Sequence, residues 1–138
     1  MSANYNVSKG VERLADRLAA MSREMNAEVQ KLVTTTTLLT QEALVDKITQ
    51  DIEPHNRDGK TVTDLVDTGA YRASWQPSFP APLMGQVATN SEYALALEYG
   101  DQEHGGHRRG FFVARDVAKK MRRVFRQRGI QLIRKYTR

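Results

Sequence analysis

The most regular segment of this 138-residue chain is Val11 to Leu32, VERLADRLAAMSREMNAEVQKL. Its apolar residues recur at steps of three and four, which is the spacing of one face of an amphipathic α-helix. They are Val11, Leu14, Leu18, Met21, Met25, Val29 and Leu32. The sequence therefore predicts a long N-terminal helix, preceded by a flexible segment over residues 1–10.

The four consecutive threonines from Thr34 to Thr37 interrupt this pattern. β-Branched side chains lose rotamer freedom against the preceding helical turn, so a bend or break is expected there. Helical periodicity resumes from Gln41 to Ile52. Pro54 is expected to stop it, because the residue before a proline is biased out of the helical conformation.

Two polar segments predict exposed loops. The first covers residues 54–66, where the stretch HNRDGK has the turn pair Asp58-Gly59 at its centre. The second covers residues 100–110, GDQEHGGHRRG, and is a loop by composition. We expect both segments to be available at the surface.

Short strands are expected between these loops. Ala73 to Phe79 contains Trp75 and Pro77, so a strand there must be short or lie at a sheet edge. Gly85 to Asn90 alternates enough for a second strand, which would pair with the first as a hairpin. Ser91 then favours the start of a short helix, because serine is a good helix cap. The two-residue spacing of the apolar residues that follow, Tyr93, Leu95, Leu97 and Tyr99, also fits a strand.

The C-terminal segment predicts a basic amphipathic helix from Phe111 onward. The apolar residues Val113, Val117, Met121 and Val124 follow helical steps. Four basic residues form a second series that falls on the opposite face of the same helix, namely Arg115, Lys119, Arg122 and Arg126. Gly129 is expected to kink or end the helix.

Together these elements predict a single α+β domain over residues 1–138, with a long N-terminal helix, a small antiparallel sheet of short strands and a basic C-terminal helix. The chain has no cysteine, which excludes disulfides and thiolate metal ligands. No segment approaches the roughly 20 apolar residues of a membrane span. The N-terminal residues MSANYNVSKG lack the apolar core of a signal peptide, so we expect a soluble protein made in the cytoplasm.

Charge is separated along the chain. Residues 1–106 carry nine Lys/Arg and fifteen Asp/Glu, whereas residues 107–138 carry twelve Lys/Arg and a single acidic residue, Asp116. A basic end of this kind binds nucleic acid, an acidic protein surface or the acidic part of a neighbouring copy. It is also compatible with a solvated helix face that binds nothing.

Two short motifs suggest chemistry. Asp67-Thr68-Gly69-Ala70 has the letters of the catalytic loop of retroviral-type aspartic proteases, in which two chains each supply one carboxylate. Those enzymes are nearly all β-sheet, so the interpretation of Asp67 as the cap of a turn and Gly69 as permissive backbone is preferred. Glu103, His104 and His107 lack a fourth ligand, and we expect no metal, cofactor or catalytic residue.

Three segments in order resemble the tail-completion, or head-to-tail joining, proteins of long-tailed phages. They are VDTGAYRASW from Val66, ATNSEYA running to EYG at Gly100, and RGFFVARD from Arg109. Members of that family show a DTG-x-x-R-x-S segment, a Y-A-x-x-x-E-x-G segment and an R-P-F segment before a C-terminal helix. The matching residues are Asp67, Thr68, Gly69, Arg72, Ser74, Tyr93, Glu98, Gly100, Arg109, Phe111 and Phe112.

The resemblance implies a small α+β subunit of the virion, assembled in the host cytoplasm into a ring of roughly six or twelve copies at the neck or the head-proximal tail end. Its partners would be other copies of itself, the head connector or portal side, and the tail-tube proteins, with non-specific DNA contact in the channel and no membrane. The chain departs from the pattern at Gly110, where the family usually has proline.

Two further functions remain open from the sequence. The basic residues Arg115, Lys119, Arg122 and Arg126 would suit a nucleic-acid-binding protein that contacts phosphates without sequence preference. The more remote alternative is a dimeric aspartic protease acting through Asp67-Thr68-Gly69. The leading hypothesis is a structural virion protein without enzymatic activity.

Overall fold

In a computed structural model, the chain is described over residues 2–66, 69–100 and 110–137, with side chains from residue 9 onward. The mixed fold predicted from the sequence is confirmed: a long N-terminal helix, short antiparallel strands and a C-terminal helix. The elements are α1 (Ser2–Gln50), β1 (His55–Arg57), β2 (Lys60–Val62), α2 (Ala70–Ser74), β3 (Trp75–Ala81), β4 (Met84–Thr89), α3 (Ala94–Tyr99) and α4 (Val113–Tyr136).

α1 is one continuous helix of 49 residues, so the expected bend at Thr34 to Thr37 was wrong. The Thr37 hydroxyl donates a 2.7 Å hydrogen bond to the carbonyl of Val33, and Thr40 donates one of the same length to Thr36. These bonds give the hydroxyls of Thr37 and Thr40 a partner inside the helix, and burial of Thr36 and Thr37 adds packing that outweighs their low helix propensity. The helix also begins at Ser2, inside the segment expected to be flexible.

α4 packs antiparallel along the C-terminal part of α1. Near its start Asp116 lies 3.6 Å from Lys47, and near its end Lys135 forms an ion pair with Glu28. The predicted apolar face of α4 is confirmed, because Val113, Val117 and Met121 are buried in the core and Val124 packs against it. The rest of the buried core is Leu44, Ile48, Ile52, Tyr71 and Trp75.

The expected kink or end of this helix at Gly129 was wrong, since α4 continues to Tyr136. A side chain at Gly129 would meet nothing within 4 Å. The glycine is therefore tolerated within the helix without being required there, because the surrounding residues are strong helix formers.

The predicted hairpin is confirmed as β3 and β4, which pair antiparallel from Trp75 opposite Thr89 to Ala81 opposite Met84. Its base is attached to α1 by a 3.0 Å hydrogen bond from the Gln41 side-chain amide to the carbonyl of Trp75. The strand β4 lies against the buried threonines of α1, where Gly85 leaves room for Thr37.

The segment 54–66, expected as an exposed loop, instead forms a second hairpin from β1 and β2. Asp58 and Gly59 both have positive φ, at 53° and 82°, which is the geometry that a two-residue hairpin turn requires. The guanidinium of Arg57 then donates hydrogen bonds of 2.7 Å to the carbonyls of Val66 and Asp64. The same Asp-Gly pair that indicated a loop is thus also a hairpin signal.

Candidate interaction surfaces

The first segment of the phage resemblance leads into α2. Gly69 has φ of 82° and precedes the helix, which confirms it as a position that favours glycine. Arg72 is half-buried, and one of its guanidinium nitrogens lies 3.4 Å from the hydroxyl of Thr49 on α1. Asp67 and Thr68 lie outside the described residues.

Ser74 connects the first segment to the second. Its hydroxyl donates a 2.6 Å hydrogen bond to the carbonyl of Tyr71 and lies within hydrogen-bond distance of the Thr89 hydroxyl. Thr89 is the last residue of β4 and the second residue of the second segment of the resemblance. The two segments are therefore held together by their own side chains.

Glu98 connects the second segment to the third. Its carboxylate is buried and accepts 2.9 Å hydrogen bonds from the backbone N–H groups of Ala114 and Arg115, in the first turn of α4. A carboxylate at this place satisfies two of the N–H groups that a helix start leaves free, and it also interacts favourably with the helix dipole. Glu98 is thus the N-terminal cap of the basic helix, supplied from another element.

The backbone completes this junction. The N–H groups of Phe111 and Phe112 donate to the carbonyls of Leu97 and Glu98, at 2.8 and 3.1 Å. At the end of α3, Gly100 adopts a φ of 92° while its N–H donates to Ala96. Each of these contacts fixes the position of the chain as it approaches α4.

Gly110 fits this junction for a steric reason. A Cβ atom built there would lie 2.6 Å from the carbonyl carbon and 2.7 Å from the Cα of Tyr99. Both atoms belong to the backbone and cannot rotate away. Where the family pattern has proline, this chain therefore has glycine, at a position that lies very close to the backbone at the end of α3.

The two phenylalanines after Gly110 pack against different parts of the chain. The ring of Phe111 lies 4.9 Å from that of His55 on β1, so it packs toward the first hairpin. Phe112 has a φ of 51°, and the guanidinium of Arg115 lies 3.9 Å above its ring. Tyr93, in contrast, is exposed, so the structure does not bring it into the junction.

The four predicted basic residues of α4 are all exposed on one face, which we call the basic face (Arg115, Lys119, Arg122 and Arg126). Arg115 pairs with its neighbour Asp116 at 3.3 Å. Within the described part of the chain, the other three form no ion pair. Lys120 and Arg123 are also exposed on α4, outside this face, and were not singled out from the sequence, although their charge could have indicated them.

The first part of α1 forms a second surface. Its helical periodicity was recognised from the sequence, but its exposure was not. α4 reaches only to the level of Glu28 on α1, and the large apolar residues from Val11 to Met21 are exposed. Their exposed fractions are 61% for Val11, 57% for Leu14, 56% for Leu18 and 43% for Met21. The spacing predicted a buried helix face, but no described element of the chain extends far enough to cover it.

Between α1 and α4 runs a groove of about 740 Å³. Its α1 side carries Glu42 and Asp46, while its α4 side carries Lys120 and Arg128. Among the side chains that the structure describes, no group of three or more His, Cys, Asp and Glu is arranged to hold a metal ion. Glu103, His104, His107 and Arg109 lie outside the described residues.

None of the described helices combines the length and apolarity needed to cross a membrane. Comparison of the chain with protein-family models, with curated proteins and with solved structures finds no match.

Proposed function

We propose that this chain is a structural virion protein of a tailed phage, forming a ring at the neck or the head-proximal tail end and joining the head connector to the tail. The observation that carries the proposal is the interlocking of the three segments that resemble the joining proteins. Ser74 contacts Thr89, and Glu98 caps the helix that begins after Phe112. A fold shared with the joining proteins requires the three matching segments to lie together, and in this chain they form one junction.

The polar groups of this junction are directed into the fold, which suits a protein that acts through its surfaces. The basic face supplies one such surface. Acidic side chains are exposed as well, on the last part of α1 and around the first hairpin: Glu42, Asp46, Asp51, Glu53 and Asp58. Exposed groups of opposite charge on one subunit favour head-to-tail contacts between copies, and such contacts close into a ring when the rotation between copies permits.

The decisive experiment removes the gene from the phage that encodes it. We expect separate filled heads and finished tails, which the purified chain joins when it is added back. A chain with Lys119, Arg122 and Arg126 changed to glutamate should fail to join them, because the introduced negative charges would repel an acidic neighbour.

A matched control reverses three charges elsewhere on the same helix, at Lys120, Arg123 and Arg134. This control has the same net charge, so normal joining by it and failure of the first variant would assign the effect to the basic face. Normal virions without the gene, or normal joining by the basic-face variant, would contradict the proposal.

A nucleic-acid-binding protein is the second candidate, because Lys119, Arg122 and Arg126 are exposed and form no ion pair within the described chain. Binding through phosphates alone weakens steeply as salt rises and has no sequence preference. Filter binding of unrelated duplexes over a range of salt concentrations separates this function from protein joining, which requires the head and tail partners.

A further inference from the structure

The uncovered apolar residues of α1 continue the face that α4 covers further along the same helix. Leu32 and Leu39 lie on the covered part, and counting back from Leu32 in sevens gives Met25, Leu18 and Val11. Leu14 and Met21 lie between them at the alternate steps of three and four. We call these five residues the N-terminal stripe: Val11, Leu14, Leu18, Met21 and Met25.

The stripe has the pattern of a coiled-coil seam. Apolar residues at alternating steps of three and four give a repeat of 3.5 residues, and two helices with this repeat wind around each other with interdigitating side chains. Val11, Leu14, Leu18 and Met21 are 43% to 61% exposed, so no described element covers this part of α1. Most of the stability of a helix in a protein comes from packing of its amphipathic face, so a partner helix would stabilise this part of α1.

We propose that the N-terminal stripe binds the same stripe of a second copy of this chain, in an antiparallel coiled coil. With Leu18 opposite Met21 of the second copy, Leu14 faces Met25, and every layer from residue 14 to residue 25 pairs apolar residues. The pairing is symmetric, since each contact occurs twice about a two-fold axis.

Charge selects this arrangement. Beside the seam, Arg17 lies opposite Glu24 of the second copy, and the symmetry provides this attractive pair twice. On the other side of the seam Ala15 lies opposite Ser22, and these small side chains permit close approach of the two helices. The two α4 helices lie at opposite ends of the pair, and the N-terminal residues of each copy must diverge from the seam before Leu32 of the other, where α4 already covers that face.

The parallel alternative lacks these features. It would place Glu28 opposite Glu28 of the second copy, which repels, and Arg17 beside Ser22, which offers no charge. It would also bring both α4 helices to the same end of the pair, around the same part of the seam. The antiparallel pair is independent of the proposed virion function, because it describes the free protein and needs no phage partner.

Sedimentation equilibrium of the purified full chain tests the pairing. We expect a mass twice the 15.6 kDa of one chain. Leu18→Glu places a charge in the central layers, and it should raise the dissociation constant at least about 100-fold. Ala19→Glu adds the same charge at the next residue, outside the stripe, and should leave the dimer intact. Circular dichroism checks that both variants keep their helices.

Single cysteines test the direction, because the natural chain contains none. Under oxidation, a mixture of Leu14→Cys and Met25→Cys chains should form a disulfide-linked heterodimer. Leu14→Cys alone should not cross-link, since its two cysteines would lie about 16 Å apart along the antiparallel pair.

A charge exchange tests the register. Arg17→Glu or Glu24→Arg alone should weaken the dimer about threefold to tenfold, and the two changes together should restore it. A monomeric natural chain, a dimer that Leu18→Glu leaves unchanged, or efficient self-linking of Leu14→Cys would overturn the proposal. A monomeric natural chain would not change the expected outcome of the experiment that joins heads to tails, so the two proposals fail separately.

Discussion

The carboxylate of Glu98 accepts a 2.9 Å hydrogen bond from the backbone N–H of Ala114 and thereby caps α4 from a different element. Glu98 lies in the second segment of the phage resemblance, and Ala114 lies in the third. The contact joins the two segments in this chain, because the acidic residue satisfies N–H groups of the helix start that follows it.

Replacing Glu98 should therefore destabilise the fold. In Glu98→Gln the side chain loses its charge and one of its two accepting oxygens, so we expect the free energy of unfolding to fall by about 1–3 kcal/mol. Urea denaturation followed by circular dichroism measures this change. Glu92→Gln is the control, because the side chain of Glu92 is exposed and its replacement should change stability by less than about 0.5 kcal/mol.

Gly110 and Gly129 should respond to the same substitution with opposite signs. Gly110→Ala forces a Cβ against the backbone of Tyr99, and we expect a loss of about 1–3 kcal/mol. Gly129→Ala meets open space inside α4 and should stabilise the protein by about 0.5–1 kcal/mol. Thermal unfolding of the two variants provides the comparison, and equal effects would contradict the close approach at Gly110.

Gly85→Ala tests the packing of β4 on α1. Its Cβ would lie 2.9 Å from the Cβ of Thr37, so we expect a loss of about 1–3 kcal/mol. Adding Thr37→Ala removes the hydroxyl and methyl groups that crowd the site and should recover part of this loss. A double-mutant cycle that gives no coupling between the two positions would show that they do not touch.

The turn after β2 contains Asp64, which should make the free energy of unfolding depend on pH in the acid range. A hydrogen bond from the Val66 N–H, with a second from Arg57, holds the pKa of Asp64 below its usual 3.8. A lowered folded pKa stabilises the protein above the unfolded value, and the contribution is lost as the pH falls through the folded value. We therefore expect Asp64→Asn to lose less stability than the natural chain below a pH of about 4.

Urea denaturation at neutral and strongly acidic pH measures this difference. Asp51→Asn serves as the control, because the side chain of Asp51 is exposed and forms no ion pair within the described residues. An identical acid response of Asp64→Asn and the natural chain would contradict the role given to Asp64.

The nucleic-acid alternative makes a prediction about salt. Changing Lys119, Arg122 and Arg126 to glutamine should reduce the slope of log affinity against log salt concentration by about 0.9 for each phosphate of duplex DNA that the variant no longer neutralises. Changing Lys120, Arg123 and Arg134 to glutamine is the matched control. Equal slopes for the two variants would argue against DNA binding by the basic face.

The sequence was sufficient to predict elements whose periodicity was long and regular. The apolar face of α4 and the hairpin of β3 and β4 both follow from local spacing and turn residues. The bend at Thr34 to Thr37 was wrongly expected because propensity is local, whereas the packing of β4 against Thr37 comes from nearly fifty residues away. Tertiary contact outweighs propensity in such cases.

The candidate surfaces were predictable only in part. Charge and helical spacing together located the basic face, because a solvated helix face needs no partner from the same chain. The role of Glu98 could not be derived, since no local pattern connects it to Ala114 sixteen residues later. The N-terminal stripe was recognised as an apolar helix face, but spacing does not reveal whether the covering element belongs to the same chain.

The length of α1 also affects how the protein behaves in solution. Its 49 residues span about 74 Å, whereas a sphere-like chain of this size has a radius of gyration near 14 Å. Such a molecule tumbles slowly and elutes early from a sizing column, so even a solitary copy would migrate as if it were heavier. Shape and stoichiometry are therefore confounded in any method that infers mass from mobility, and they separate only where mass is measured directly.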